Sequence, residues 1–342
     1  MTITFDLNTI WYILVGVLFT GYAILDGFDL GVGALHLLAK KDEERRLMLN
    51  AIGPVWDGNE VWLITGGGAL FAAFPEVYAT SFSGFYMAMV LLLFGLIFRA
   101  VAIDFRSKRP MLWWRKMWDT SFCVSSIISA LIIGVALGNI ARGLPLDADK
   151  EFVGSFGTLL NPYALLVGIT TVALFAMHGA IYMVMKTEGE LHDKIRRQIN
   201  KTIVFFVFCY ALTTVATLLF APNMTANLKA APILFVIPIL NLLAIANIPR
   251  EISRGRDFRA FISSSVSMVV LMTLFGIGMF PNLIYSHTDP ANSLNLYNAA
   301  SSHATLKVML IIAAIGMPLV LAYTISIYWI FRGKVKLGPT SY

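Results

Sequence analysis

The sequence predicts an all-α, polytopic membrane protein built as two four-helix bundles with one extra helix. Three observations carry that prediction. Hydrophobic residues make up 58% of the 342-residue chain and charged residues only 13%, against about 25% charged in a typical soluble domain. Apolar runs long enough to cross a bilayer, about 20 residues each, recur from end to end. The Lys and Arg residues fall almost entirely in every second connection between those runs, which is the pattern that sets orientation in a membrane.

Nine spans follow in order. The first, 8–39, holds Asp26 and Asp29 in GYAILDGFDLGVGAL and stops at Lys40. The second, 46–73, holds Asp57 and Glu60 in GPVWDGNEVWLITGGGALF. Pro54 lacks an N–H and should kink this span just before Asp57. The third, 78–105, carries Arg99 and ends at Asp104 and Arg106. The fourth, 113–141, opens on Trp113, Trp114 and Trp118 beside Arg115 and Lys116, an aromatic belt with snorkelling bases. The fifth, 160–186, contains His178, and the sixth to eighth lie at 200–222, 229–248 and 258–280. The longest remaining loop, about 281–305, holds Pro281, Pro290, His287 and His303 and leads into the ninth span, 306–332.

Of the 26 Lys and Arg, 21 lie in the loops that follow odd-numbered spans. The positive-inside rule then puts the N-terminus outside and the C-terminus in the cytoplasm. With no Lys or Arg ahead of the first apolar run, a cleavable signal peptide is not expected. Spans 1 and 5 also overlay: Leu14-Val15-Gly16 matches Leu166-Val167-Gly168 and Gly27 matches Gly179, each 152 residues on. Asp26 then falls on His178. The reading is a parallel repeat, 1–145 and 155–282, with a ninth helix at 304–333 left over.

The acids are the chemical signal. A carboxylate in hydrocarbon costs roughly 2.5–3.5 kcal/mol on insertion scales, so it is rarely there without a role. Each pair has i, i+3 spacing, which puts both members on one helix face. Asp29 lies 11 residues before Lys40 and Asp57 lies 11 after Arg46, so both sit about 16 Å deep at 1.5 Å per residue. Arg99 and His178 sit about 10–12 Å in by the same measure, and Asp104 is near the surface. One slab is therefore expected to collect Asp26, Asp29, Asp57, Glu60, Arg99 and His178. Four carboxylates cannot all stay ionised beside one guanidinium in low dielectric. Some should hold protons, as a proton relay requires. The structural alternative is a satisfied network with Arg99 paired to Asp57. Gly27, Gly31, Gly33 and the Gly66–Gly68 run should let backbones approach closely.

Other classes are excluded. The net charge of +6 resides in short loops rather than a patch, so no nucleic acid is expected. Cys123 and Cys209 sit in apolar runs without metal-ligand or disulfide spacing, and no metal site is expected. No phosphate-binding glycine loop is present. Only His178 of the five histidines is deep in a span, so this chain does not supply paired haem ligands.

The stretches Gly21–Gly33 (GYAILDGFDLGVG) and Gly53–Trp62 (GPVWDGNEVW) closely resemble the signature segments of subunit II of the cytochrome bd quinol oxidases. Phe98-Arg99-Ala100 with Asp104 beyond it, and Met177-His178-Gly179-Ala180 followed by Tyr182 and Lys186, resemble that family too. The resemblance implies a heterodimer with a homologous subunit I in a bacterial cytoplasmic membrane. It implies quinol oxidation and O2 reduction to water, with protons taken from the cytoplasm. Two b-type haems and one d-type haem would be carried by the partner. It implies a proton path over Asp26 and Asp57, with Asp104 and Arg99 nearby and Asp29 and Glu60 matching the motif. A bound quinone and a small single-helix accessory subunit occur in some members. The other reading of the same acids is a proton- or cation-coupled secondary transporter, and a third is a scaffold subunit without chemistry.

Overall fold

The computed structural model describes residues 6–338 and Ser341. Thirteen α-helices dominate: α1 (Leu7–Leu35), α2 (Asp42–Ile52), α3 (Trp56–Ala73), α4 (Pro75–Gly84), α5 (Tyr86–Phe105), α6 (Leu112–Arg142) and the one-turn α7 (Phe156–Leu159). Then come α8 (Pro162–Lys186), α9 (Gly189–Phe220), α10 (Asn223–Ala230), α11 (Val236–Ser253), α12 (Asp257–Met279) and α13 (His303–Ile330). Local signals explain several ends. The Asp6 carboxylate accepts the Thr9 N–H at 2.8 Å to cap α1. Asn161 does the same for α8 at 2.9 Å, with Pro162 in the first helical position. α6 stops at Gly143, whose φ of +98° suits glycine.

Among the described residues, eight helices are long and apolar enough to cross a membrane: α1, α5, α6, α8, α9, α11, α12 and α13. The expected second span, 46–73, is where the structure departs from nine. It divides into α2 and α3, because Pro54 has no N–H for the helical bond. The Val55 N–H turns back to the Ile52 carbonyl at 2.9 Å. The freed Ala51 carbonyl takes the Tyr182 hydroxyl at 2.8 Å. The remaining α3 has 18 residues, about 27 Å, and its first turns, WDGNE, are polar. The seventh span also moves, from 229–248 to α11, because α10 and the turn at Pro232 occupy its expected start.

α1 is the central helix, packed against α3, α6, α8 and α12. It is continuously buried from Asp26 to Gly33. α1 and α8 run parallel: Gly27 lies against Phe175, Ile24 against His178 and Gly31 against Gly179. At the last pair the backbones nearly touch, and a Cβ on Gly179 would lie 2.5 Å from the Gly31 carbonyl carbon. Gly33 packs likewise on Ser126, and Gly66 on Phe19. Gly67 and Gly68 face open space, contrary to expectation, because they lie on the side of α3 turned away from α1.

In chain order, α1, α3, α5 and α6 make a first group, within the expected repeat 1–145, and α8, α9, α11 and α12 a second, within 155–282. The seam between them, made by α1, α6, α8 and α12, is as extensive as the packing inside each group. Residues 1–5 of the expected first repeat lie outside the described residues. At one end, 143–153 and 281–302 fold over the helices. A short antiparallel pair, Asn282–Ile284 with Leu294–Asn295, and Leu144, Leu146 and Leu296 close a core around Trp11. The opposite end carries the basic loops. α13 stands outside both groups, touches α1 and α3, and buries only Leu306 completely.

Replacing Gly179 by Val should force the α1–α8 crossing apart. Overpacking of this kind costs about 1–3 kcal/mol, so the purified protein should melt several degrees lower than wild type. An unchanged melting temperature would show that the seam does not depend on this contact.

Candidate functional site

Three helices converge on one guanidinium. Arg99 of α5 is fully buried and donates from Nη1 to Asp26 Oδ1 at 2.6 Å and from Nη2 to Glu60 Oε2 at 2.7 Å. Asp26 is equally buried, while the Glu60 side chain is 20% exposed. One turn along α1, the buried Asp29 accepts from Asn59 Nδ2 at 2.7 Å through Oδ2. Asn59 in turn accepts the Tyr328 hydroxyl at 2.8 Å. Asp26 Oδ2, Asp29 Oδ1, Arg99 Nε and the Tyr22 hydroxyl are buried and make no hydrogen bond to another described residue. Two carboxylates therefore share one cation, and a third is held by a neutral amide.

The structure brings together Asp26, Asp29, Glu60 and Arg99, four of the six residues expected in one slab. It does not bring in Asp57 as expected. Asp57 sits in the first turn of α3 and is exposed. The alternative pairing of Arg99 with Asp57 is thereby replaced by Asp26 and Glu60. The cause is the break at Pro54, which starts α3 afresh and leaves Asp57 on its outer stripe with Val61, Ile64 and Phe71. Asp104 is exposed near the basic end of α5.

His178 lies on the other side of α1 and touches none of the acids. Its Nδ1 meets Ser264 Oγ at 2.7 Å and its Nε2 meets the Ile24 carbonyl at 3.1 Å. Its ring stacks on Phe261. Neither ring nitrogen is left for an axial bond, so these residues do not fit a haem.

A second buried ionic node escaped the sequence reading. Asp119 of α6 accepts from Arg106 Nε at 2.6 Å and from Arg45 Nη1 at 2.7 Å, and it meets His36 Nε2 at 2.7 Å. Arg106 also reaches Asp42 at 2.8 Å. This node ties α1, α2, α5 and α6 together at the basic end. Its one visible signal was an unassigned acid, Asp119, inside the fourth span. Its partners are scattered over the chain, and Arg45 and Arg106 read as loop charges.

Arg99→Ala strands Asp26 and Glu60 without their cation. Breaking a buried ion pair from one side costs roughly 3–5 kcal/mol, so yield from the membrane and melting temperature should both fall sharply. Wild-type values for both would show that the carboxylates do not depend on the guanidinium.

A sequence model of the family described as cytochrome bd terminal oxidase subunit II matches residues 7–331. The chain is 39% identical over 360 residues to the cytochrome bd-I ubiquinol oxidase subunit 2 of Escherichia coli (strain K12), covering 96% of this chain and 95% of that one. It is 36% identical over 334 residues to the cytochrome bd ubiquinol oxidase subunit 2 of Bacillus subtilis (strain 168), covering 97% of each. Among solved structures, a chain of the bd oxidase from Geobacillus thermodenitrificans superposes with a TM-score of 0.79. That match covers 95% of this chain and 98% of the other at 16% identity, and it bears on the fold alone. By the family match and the two sequence identities, this chain belongs to the cytochrome bd terminal oxidase subunit II family.

Proposed function

We propose that this chain pairs with a haem-bearing subunit I in a quinol-oxidising, O2-reducing complex and lines part of its proton path. The observation that carries the reading is the three-carboxylate, one-guanidinium network of Asp26, Asp29, Glu60 and Arg99 inside a membrane bundle. Each O2 reduced to two waters consumes four protons and four electrons, and the electrons of two quinols suffice. The protons must reach a buried centre, and carboxyls in series can pass them. Asp104 at the basic end and Asp57 on the outer stripe are the entry and exit members of that series. Glu60, Asp26 and Asp29 form its interior. Arg99 holds the negative charge left behind when a proton moves on.

The exposed Asp57 supports a protein partner on this face. Turned to lipid, it would cost the several kcal/mol of any mid-membrane charge. Covered by a second subunit, it has a polar neighbour and a place to deliver its proton. The apolar residues beside it, Val61, Ile64 and Phe71 on α3 and Leu91, Phe94 and Phe98 on α5, suit the same contact.

The haems, two of b type and one of d type, are assigned to the partner, in keeping with the occupied ring of His178. The N-terminus is placed outside and the basic end in the cytoplasm. The two-bundle repeat, a bound quinone and a small accessory subunit complete the reading. The secondary-transporter alternative loses its support to the family membership.

Asp57→Asn removes one exchangeable carboxyl and leaves the fold intact. O2 reduction by the purified complex should fall about a hundredfold, the low end for loss of a proton-transfer group. The reduced-minus-oxidised spectrum should keep its haem bands. Wild-type turnover would remove Asp57 from the path, and a colourless preparation without a second subunit would remove the oxidase reading.

A further inference from the structure

α13 lies outside both helix groups, and its middle is exposed: Ile311, Ile312, Ile315 and Leu319 all face outward. It is pinned at its two ends. At the first, Trp11 Nε1 donates to the Leu306 carbonyl at 2.9 Å. At the second, Tyr328 turns inward, with its ring edge-on to Phe28 at 6.5 Å and its hydroxyl 2.8 Å from Asn59 Oδ1. A side chain of the peripheral helix thus ends two hydrogen bonds from the buried Asp29.

The polarity of that link is determined. Asn59 Nδ2 faces two oxygens, Asp29 Oδ2 at 2.7 Å and the Leu25 carbonyl at 3.3 Å. A carbonyl only accepts, so the amino side of the amide must face Leu25. Asn59 Oδ1 therefore points at Tyr328, whose hydroxyl must donate. Rotating the amide would set two acceptors, Asn59 Oδ1 and the Leu25 carbonyl, against each other. It follows that Asp29 Oδ2 is always an acceptor in this arrangement. A proton on Asp29 has one place left, Oδ1, which makes no hydrogen bond to a described residue. The amide itself carries no exchangeable proton along the chain, so Tyr328 does not relay.

We propose that Tyr328 is a positioning residue for Asp29, acting through Asn59 to keep Oδ1 as the oxygen that exchanges its proton. The inference rests on the proton-path reading of Asp29. It gives α13, which packs little of itself into the bundles, a role in the chemistry of α1.

The test uses the intact two-subunit complex purified from membranes. Four single variants and one double are compared by O2 consumption, haem spectrum and pH–rate profile: Asp29→Asn, Asn59→Ala, Tyr328→Phe, as a control Tyr323→Phe, and Asn59→Ala combined with Tyr328→Phe. Tyr323 is exposed on the same helix and should behave as wild type. Tyr328→Phe keeps the ring against Phe28 and loses only the hydroxyl. Turnover should fall about fivefold, the worth of one hydrogen bond. The pH–rate profile should move by about half a unit or more, with haem content unchanged. Asn59→Ala, which leaves Tyr328 in place, should move the profile the same way, and the double variant should add nothing further. If Tyr328→Phe fails to assemble, Asn59→Ala alone decides, and an unmoved profile there overturns the proposal. An altered Asp29→Asn with unmoved Tyr328→Phe and Asn59→Ala profiles overturns the positioning role and leaves the proton path standing. A silent Asp29→Asn overturns both.

Discussion

The Arg99 guanidinium is the contact on which the first helix group depends. It belongs to α5, and its two hydrogen-bonded acids belong to α1 and α3. At 2.6–2.7 Å, neither bond tolerates much axial slip. A shift of one residue moves a helix by about 1.5 Å and would leave a buried charge unpaired. In a bilayer the hydrophobic effect does little to choose the register of helices against one another, and packing and polar contacts do that work. The same guanidinium is what permits Asp26 to be buried completely, and with it the stretch of α1 that runs to Gly33.

Charge is distributed unequally between the two groups. In the second, Glu251 and Lys186 are buried near the basic end, and the polar side chains buried further along the helices are neutral: Asn241 donates to Tyr210 at 3.0 Å and accepts from Ser267 at 2.8 Å, and Thr170 meets Thr213 at 2.6 Å. His178, 152 residues after Asp26, is hydrogen-bonded to a serine and a carbonyl. Neutral pairs of this kind fix helix positions without offering a carboxyl for proton exchange. The proposed proton chemistry thus has a place in one half only, while both halves use buried polar contacts to set their helices.

Two features of the seam between the halves bear on the site. One is the glycine crossing of α1 and α8, where the absence of side chains at Gly31 and Gly179 brings the backbones together. The other is Tyr182 of α8, whose ring stacks on Phe28 at 4.0 Å and whose hydroxyl takes up the Ala51 carbonyl freed by Pro54. The break that starts α3, and so places Asn59 toward Asp29 and Glu60 toward Arg99, is stabilised from the second half of the molecule.

Much of this was legible in the chain. Long apolar runs and alternating basic loops specify helices and their number to within one, because both act locally and need no knowledge of neighbours. Depth below the basic loops put Asp26, Asp29, Asp57, Glu60, Arg99 and His178 in one slab, because helical rise is constant, and four of the six meet there. Pro54 announced its break by lacking an N–H. The tertiary structure alone decided which acid Arg99 takes, since Asp57 and Glu60 are three residues apart and only the rotation of α3 separates them. It alone assembled His36, Arg45, Arg106 and Asp119, whose separation along the chain hides their meeting at one end of the bundle. It alone brought Tyr328 to Asn59. Periodicity and depth are properties of single helices, whereas partner choice depends on how helices rotate and cross, and that is settled by contacts between residues far apart in sequence.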